Sequence, residues 1–329
     1  MSNIADRYKI VTQMDSYDQI SCVYKPYIMF FNSLNFKSKY VNTDNLGFRL
    51  NYYKNNLFEL NNFYNKPEVT IIIGGSMVFG FGATSDKKTI SSLLSRKTEE
   101  IFLNFGATAF NSKQEILLFL NFLNKFSSIK NVIIISGAND LYLSLIYDDD
   151  IWGNFFFKDK YIKIHENYRN RNNIIHKIKK SYSKFFTKKE KIKNLRNENI
   201  EKLYETYDQN FKLWNNISNS YKFKLYYFLQ PLAAWTKKNF SKEEQNLFQI
   251  LDNSSDYAHL TLKEMSKVEN YYKYLDLLES TTNSNKINFT DLNREVSKSK
   301  NFEKSLFVDR VHMNDCGYDE VSEIILNNI

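Results

Sequence analysis

Cysteine is nearly absent: Cys22 and Cys316 are the only two in 329 residues. That excludes a disulfide framework and a cysteine-based metal cluster. Of the four histidines, His165 and His176 stand eleven apart and His259 is isolated, so metal-ligand spacing is missing too. Prolines number three and glycines nine, too few for a low-complexity or extensively disordered chain. No run approaches the ~20 apolar residues of a membrane span. The opening Met1-Ser-Asn-Ile-Ala-Asp-Arg7 carries no apolar signal core. The expectation is a soluble protein of a reducing, cytoplasmic compartment that needs neither metal nor cofactor.

Apolar material is plentiful. Hydrophobic residues make up 43% of the chain, with 23 tyrosines and 27 phenylalanines. Length and core supply suit one large α/β domain with insertions, or two smaller domains. The net charge of +8 is concentrated. Residues 158–196 hold fourteen Lys or Arg against three Asp or Glu, a local +11 that leaves −3 for the rest. This segment reads either as a solvated helical insertion or as a docking face for an anionic partner such as a membrane surface or acidic glycan. No nucleic-acid-binding motif accompanies it, which ranks nucleic acid last. Nothing in the sequence fixes an oligomeric state.

The pattern centres on Val69-Thr-Ile-Ile-Ile-Gly-Gly-Ser76-Met-Val-Phe-Gly80. An unbroken apolar run reads as a strand buried on both faces, as in a parallel sheet. Ser76 then lies at the carboxyl end of that strand, where open α/β sheets place their chemistry. Taken alone, Gly-Gly-Ser is equally a strand-to-helix turn with Ser76 as N-cap. Further strands are expected at 101–105, 131–137, 223–230 and 287–292. Helices are expected from Thr89, over 112–127 with Ile116, Leu117, Leu120, Leu123 and Phe126 on one stripe, over 200–218 and 257–280, and from about 319. Residues 36–49 read as a strand or hairpin closed near Asn45 and Gly47. The segment 150–198 reads as an insertion carrying the stripe Ile174, Ile175, Ile178, Tyr182, Phe185 and Phe186. Residues 232–256 read as a mobile excursion. Five strand–helix repeats predict a doubly wound parallel sheet covered on both faces, a three-layer α/β/α arrangement.

The strand ends carry the chemistry. The first ends at Gly75-Ser76, the second at Gly106, the third at Gly137-Ala-Asn139-Asp140, and Asp309-Arg-Val-His312 precedes the last helix. With the first strand central, the second and third flank it and their ends meet beside Ser76. A serine hydroxyl needs an adjacent base, and His312 can take its proton and return it to a leaving alkoxide. Asp309, three residues earlier, can fix the imidazole tautomer. The backbone N–H groups of Ser76 and Gly106 and the Asn139 amide can hold an oxyanion. Each residue also has a plainer role: Asp309 as a local cap, Asn139 as a turn residue, His312 as a bonded loop histidine, Cys316 as a packed thiol.

These four blocks, in order and spacing across about residues 40–329, resemble the SGNH (GDSL-like) hydrolases. Ser76 matches the nucleophile block, Gly106 the glycine block, Gly137-Ala-Asn139-Asp140 the G-x-N-D block and Asp309-Arg-Val-His312 the D-x-x-H block. Thr43-Asp-Asn-Leu-Gly-Phe-Arg49 and Phe228-Leu-Gln-Pro231 look like members found in bacterial surface-polysaccharide gene clusters. Gly75 departs from the pattern, since many relatives carry Asp before the serine. The resemblance implies a flavodoxin-like sheet of five parallel strands in a hydrolase domain over 67–329, with 1–66 as an N-terminal extension packed on it. It implies Ser76, His312 and Asp309 as the catalytic set, and Ser76, Gly106 and Asn139 as the oxyanion hole. The implied activity is ester hydrolysis, of O-acetyl or another short acyl group on a carbohydrate or small metabolite, through an acyl-enzyme on Ser76. Acyl transfer from the same site, or a silent protein that binds an anionic partner, are the alternatives.

Overall fold

The computed structural model describes residues 5–66, 68–147, 154–169, 195–254 and 257–329. Two short antiparallel ribbons come first: β1 (Cys22–Lys25) with β2 (Met29–Asn32), and β3 (Asn51–Tyr53) with β4 (Asn56–Phe58). Five parallel strands follow: β5 (Val69–Gly74), β6 (Ile101–Gly106), β7 (Ile129–Ser136), β8 (Lys224–Leu229) and β9 (Asn288–Asp291). Their order is β6-β5-β7-β8-β9, so the first strand of the sheet is interior and flanked by the second and third, as expected. This is the doubly wound order of a flavodoxin-like sheet.

The apolar runs explain the layering. Along a strand successive side chains face opposite ways. Ile71 and Ile73 of β5 join one core with Leu103, Val132, Ile134 and Tyr227; Ile72 joins the other with Phe102, Ile133, Ile135 and Phe228. The first core is covered by the helices Ser112–Phe122, Asn197–Tyr221 and Val268–Ser284. The second is covered by Ile90–Thr98, Lys242–Asp252 and Asp315–Leu326. The N-terminal region contributes to both: Phe30, Phe48 and Leu60 to the first, Met14, Tyr17 and Val41 to the second. It also covers an edge. Strand β6 ends the sheet on one side, and its Asn104 N–H donates to Asn51 Oδ1 of β3 at 2.7 Å, a backbone donor that an open edge would leave unpaired.

Several expectations shift in detail. Residues 36–49 form isolated bridges, Lys37 with Asn42 and Thr43 with Arg49, rather than a regular strand. The turn between them is organised by Asp44, whose Oδ1 accepts the N–H groups of Leu46, Gly47 and Phe48 at 2.9 Å each. The helix expected over 112–127 stops at Phe122 and tightens into a 3-10 turn at Leu123–Lys125. Its buried face runs through Ile116, Leu118 and Phe119, while Leu120 is 40% exposed. The excursion at 232–256 is instead largely built structure. Ser241 and Glu244 cap the Lys242–Asp252 helix reciprocally, and Leu247, Phe248 and Leu251 are buried. Of the basic insertion, the helix Lys158–Arg169 is described, and the stripe from Ile174 to Phe186 lies outside the described residues. Among the described residues no helix is long and apolar enough to cross a membrane.

Two glycines permit approaches that side chains would block, Gly74 toward β7 and Gly106 toward the helix Ser76–Phe79. A Cβ on Gly74 would lie 2.1 Å from Ile135 O, and one on Gly106 would lie 2.0 Å from Phe79 N. Both obstacles are backbone, which cannot rotate away. Gly106→Ala is therefore expected to cost at least about 3 kcal/mol, at the severe end of overpacking, measured by urea unfolding. An unfolding midpoint equal to wild type would show that the strand and helix can separate without cost.

Candidate active site

The chain turns sharply after β5. Gly75 stands in extended geometry at the N-cap position, and Ser76 opens a helix of one turn, Ser76–Phe79. Ser76 is thus the first helical residue rather than the cap. Its side chain faces His312 instead: Ser76 Oγ and His312 Nε2 are 2.7 Å apart, although 236 residues separate them in sequence. As the first residue of a helix, Ser76 also keeps a backbone N–H with no intrahelical acceptor.

His312 is held on its other nitrogen. Its Nδ1 lies 2.8 Å from Asp309 Oδ2 and 3.0 Å from Oδ1. The Asp309 Oδ1 atom also accepts the N–H groups of Val311 and His312, at 2.9 and 2.8 Å, so the D-x-x-H spacing closes a local turn. Arg7 Nη2 donates to Asp309 Oδ2 at 3.0 Å. Burial acts to raise the Asp309 carboxyl, but the charges and hydrogen bonds of His312 and Arg7 outweigh it and hold it well below the ordinary carboxylate range. With Asp309 ionised, Nδ1 of a neutral His312 is the donor and Nε2 is left to accept the Ser76 proton. Phe81 lies against the imidazole, with ring centres 4.5 Å apart.

The loop bearing His312 is clamped along its length. Glu244 Oε1 accepts from the N–H groups of Leu306 and Phe307, at 2.9 and 3.2 Å. Gln230 Nε2 donates to Val311 O at 2.9 Å, and Ala233 N–H to Arg310 O at 3.0 Å. The Phe228–Pro231 stretch thus positions the histidine turn. Arg310 itself turns away into a two-point pair with Asp252, at 3.1 and 2.7 Å.

The expected oxyanion donors need one revision. Asn139, in the first turn of the helix Ala138–Ile146, uses one amide hydrogen on Phe110 O at 2.6 Å and keeps the other. A Cβ built on Gly75 would lie 2.7 Å from its Nδ2, which places the amide directly beside the Gly75-Ser76 turn. Gly106 does not offer a donor, because its N–H is spent on Asn104 Oδ1 at 2.9 Å. Its role is the close approach to Phe79 described above. Along the following loop, Ala107 N–H goes to Gly74 O, Thr108 N–H to Asn32 Oδ1 and Phe110 N–H to Ala107 O. Ala109 N–H makes no hydrogen bond among the described residues, and Ala109 adopts φ +62°. The sequence signal was faint: alanine stands at a left-handed position that favours glycine, so no residue type marked it.

The G-x-N-D turn rests on a buried polar layer. Asp140 accepts from Ser112 N–H at 3.0 Å and Ser112 Oγ at 2.7 Å; Ser136 Oγ donates to Glu115 Oε1 at 2.6 Å. Tyr274 OH donates to Gly137 O at 2.8 Å. Burial, and then the neighbouring Asp140 charge, push the Glu115 carboxyl well above its usual range, with Ser136 opposing. Burial likewise raises Asp140, against its Ser112 hydrogen bonds. Cys316 is partly buried and free, and His259 lies on the helix Tyr257–Met265. No group of three or more His, Cys, Asp or Glu able to hold a metal occurs among the described residues.

With this geometry in hand, the chain can be set against known proteins. No family model matches it, and no curated protein does. Among solved structures it is similar to a member of the lipolytic G-D-S-L family from Veillonella parvula, at 13% identity over 79% of this chain and 97% of that one, with a TM-score of 0.42. It is similar to a lipase/acylhydrolase from Enterococcus faecalis at 12% identity, covering 79% and 94%, with a TM-score of 0.43. A third is the acetyl xylan esterase AlAXEase, at 12% identity, 79% and 99% coverage, and a TM-score of 0.42.

The buried carboxylates predict a pH signature. In the unfolded chain Glu115 ionises near pH ~4.3, whereas folding keeps it protonated to higher pH. Its stabilising contribution is full below the unfolded value and is lost as pH rises to the folded one, at up to ~1.4 kcal/mol per pH unit. Glu115→Gln keeps the Ser136 acceptor and cannot ionise. Urea unfolding followed upward from about pH 4.5 should show the variant gaining on wild type. A constant difference as pH rises would mean that Glu115 is ionised in the folded state.

Proposed function

We propose that this chain is a serine esterase of SGNH type that forms an acyl-enzyme on Ser76. The observation that carries the reading is the Ser76 Oγ–His312 Nε2 contact of 2.7 Å, with Asp309 on the opposite imidazole nitrogen. His312 takes the Ser76 proton as Oγ attacks the acyl carbon, then gives it to the departing alkoxide oxygen. Water attacks the acyl-enzyme, losing a proton to His312, which returns it to Ser76 Oγ as the acyl–oxygen bond breaks and the carboxylic acid departs. Asp309 keeps the imidazole in the working tautomer throughout. The oxyanion is assigned to three donors: Ser76 N–H, Ala109 N–H and the free hydrogen of Asn139 Nδ2. Three preorganised donors suit a charge that develops only during attack.

The preference for acetyl or another short acyl group on a carbohydrate or small metabolite follows from the motif resemblance. A sugar hydroxyl in place of water would turn the same acyl-enzyme into an acyltransferase. A silent binding protein would have no use for the aligned Ser76–His312–Asp309 series. Cytoplasmic location and an anionic partner for residues 158–196 belong to this reading as sequence-based proposals.

A fluorophosphonate mimics the tetrahedral intermediate and should label Ser76 stoichiometrically. Ser76→Ala should abolish labelling and His312→Ala should nearly do so. Asp309→Asn should lower kcat by up to ~10⁴. Wild-type protein that takes up no label refutes the esterase reading. Asn139→Ala should lower kcat by ~10²–10³ with little change in KM; an unchanged kcat would assign Asn139 to structure alone. On aryl esters from acetyl to decanoyl, kcat/KM should be greatest for the shortest chains, and a maximum at the longest would overturn the short-acyl preference.

A further inference from the structure

Arg7 belongs to the short helix Ala5–Ile10, far from every motif in sequence, yet it is 3% exposed and ends on Asp309. A buried guanidinium is costly to desolvate. Its Nε makes no hydrogen bond among the described residues, which adds to the cost. An anchor for a terminal helix does not require such an arrangement; a charge placed for electrostatic effect does.

The surroundings show where that charge acts. Arg7 Nη2 is 3.0 Å from Asp309 Oδ2, whereas Nη1 is 3.6 Å from Asp18 Oδ2. The Asp18 side chain is one-third exposed and also accepts from Tyr8 OH at 2.8 Å, so solvent and a second donor share it. On the solvent side Lys9 pairs with Asp6. On the neighbouring elements, Arg310 and Lys263 both pair with Asp252, at 2.7 and 2.9 Å. Lys238 pairs with Glu244 at 3.3 Å, and Asp315 accepts from Thr84 N–H at 2.8 Å. From the Asp315–Leu326 helix Tyr318 OH donates to Phe81 O at 2.8 Å. The neighbouring cations are thus matched locally, and Arg7 is the one that bonds the carboxylate behind the histidine.

We propose that Arg7 is a positioning residue that sets the lower pH limit of activity by taking up part of the Asp309 charge. The inference rests on the reading of Ser76, His312 and Asp309 as a catalytic set. A full carboxylate charge at Nδ1 favours the protonated imidazole, which cannot accept the Ser76 proton. Arg7 offsets that charge and keeps the base free at lower pH, while its hydrogen bond fixes the carboxylate plane. A guanidinium stays charged over the whole working range, so the effect does not titrate away.

The test is the pH profile of kcat/KM on an aryl acetate. Arg7→Met should move the acid limb upward by about one pH unit, a loss of ~10-fold below the limb, while the alkaline plateau stays within about threefold of wild type. Arg7→Lys, which keeps a charge, should move the limb far less. Asp18→Asn removes the competing carboxylate and should move the limb slightly downward, which tests the idea even if Arg7→Met does not fold. Added guanidinium at millimolar concentration should shift the Arg7→Ala limb back toward wild type. The proposal is overturned if Arg7→Met loses activity equally at all pH, if Arg7→Lys behaves as Arg7→Met does, or if Asp18→Asn moves the limb upward. Phosphonate labelling of wild-type Ser76 separates the two ideas: no label sinks the catalytic reading itself, whereas normal labelling with an unmoved limb sinks only the role of Arg7.

Discussion

A single buried guanidinium holds the turn that carries Ser76 in place. The helix Ser76–Phe79 is one turn long, and so short a helix is not stable by itself. Its terminal carbonyls need donors in a region that water does not reach. Arg49, fully buried, supplies them: Nη1 donates to Phe79 O at 3.0 Å and Gly80 O at 2.8 Å. The same side chain pairs through Nε with Asp86 at 2.9 Å and through Nη2 with Tyr40 O at 2.9 Å. Asp86 is the compensating charge, without which a buried arginine would be untenable. The planar fork therefore ties the end of the Ser76–Phe79 helix, the loop that carries Phe81, and the 36–49 turns into one unit. Lysine, a point charge without that fork, could not make all these bonds at once.

From that fixed point the site follows by topology. Strand β5 is interior, so its carboxyl end has β6 on one side and β7 on the other. Each strand delivers one component at the same edge: the serine turn, the loop ending at Phe110, and the turn holding Asn139. The histidine comes from a loop that no strand of this sheet carries. It is fixed instead by side chains that satisfy its backbone, Glu244 on one flank and Gln230 on the other. The buried pairing of Glu244 with Lys238 ties residues 232–254 to the fold. A carboxylate that caps a helix, receives two backbone donors and pairs with a lysine fixes all three elements together.

What the sequence revealed, and what it hid, divide along physical lines. The sheet was legible because β5, β6 and β7 are buried on both faces, and burial of that kind leaves unbroken apolar runs. Ser76, Asn139, Asp309 and His312 were legible because reactive side chains are chosen by residue type. The unbonded Ala109 N–H was not, since a backbone group leaves no trace in residue identity, and Gly106 was expected to be a donor for want of the same information. Its glycine reports the approach of Phe79 rather than a donor. Arg7 was hidden by its distance in sequence from Asp309, 302 residues, over which no periodicity carries information. The built structure within 232–254 was missed because its stability comes largely from buried polar contacts, which composition reads as loop character.

The N-terminal residues thereby acquire a more specific meaning than a covering layer. Three of their buried polar side chains end beside Ser76 and His312: Arg7 on Asp309, Arg49 on the serine turn, and Asn32 on the loop after β6 through Thr108 N–H and Gly106 O. Each satisfies a group that the five-stranded sheet leaves unpaired, because the carboxyl ends of parallel strands expose loops whose backbone must find partners elsewhere. Side chains can meet that need only if they are themselves rigid. Here the rigidity comes from Phe30, Phe31 and Phe48, whose rings pack against Phe110 and Phe105 of the loop and strand being held. Aromatic packing therefore supplies the rigidity and polar tips supply the aim, which accounts for how an aromatic-rich chain with few glycines builds a well-defined site from loops.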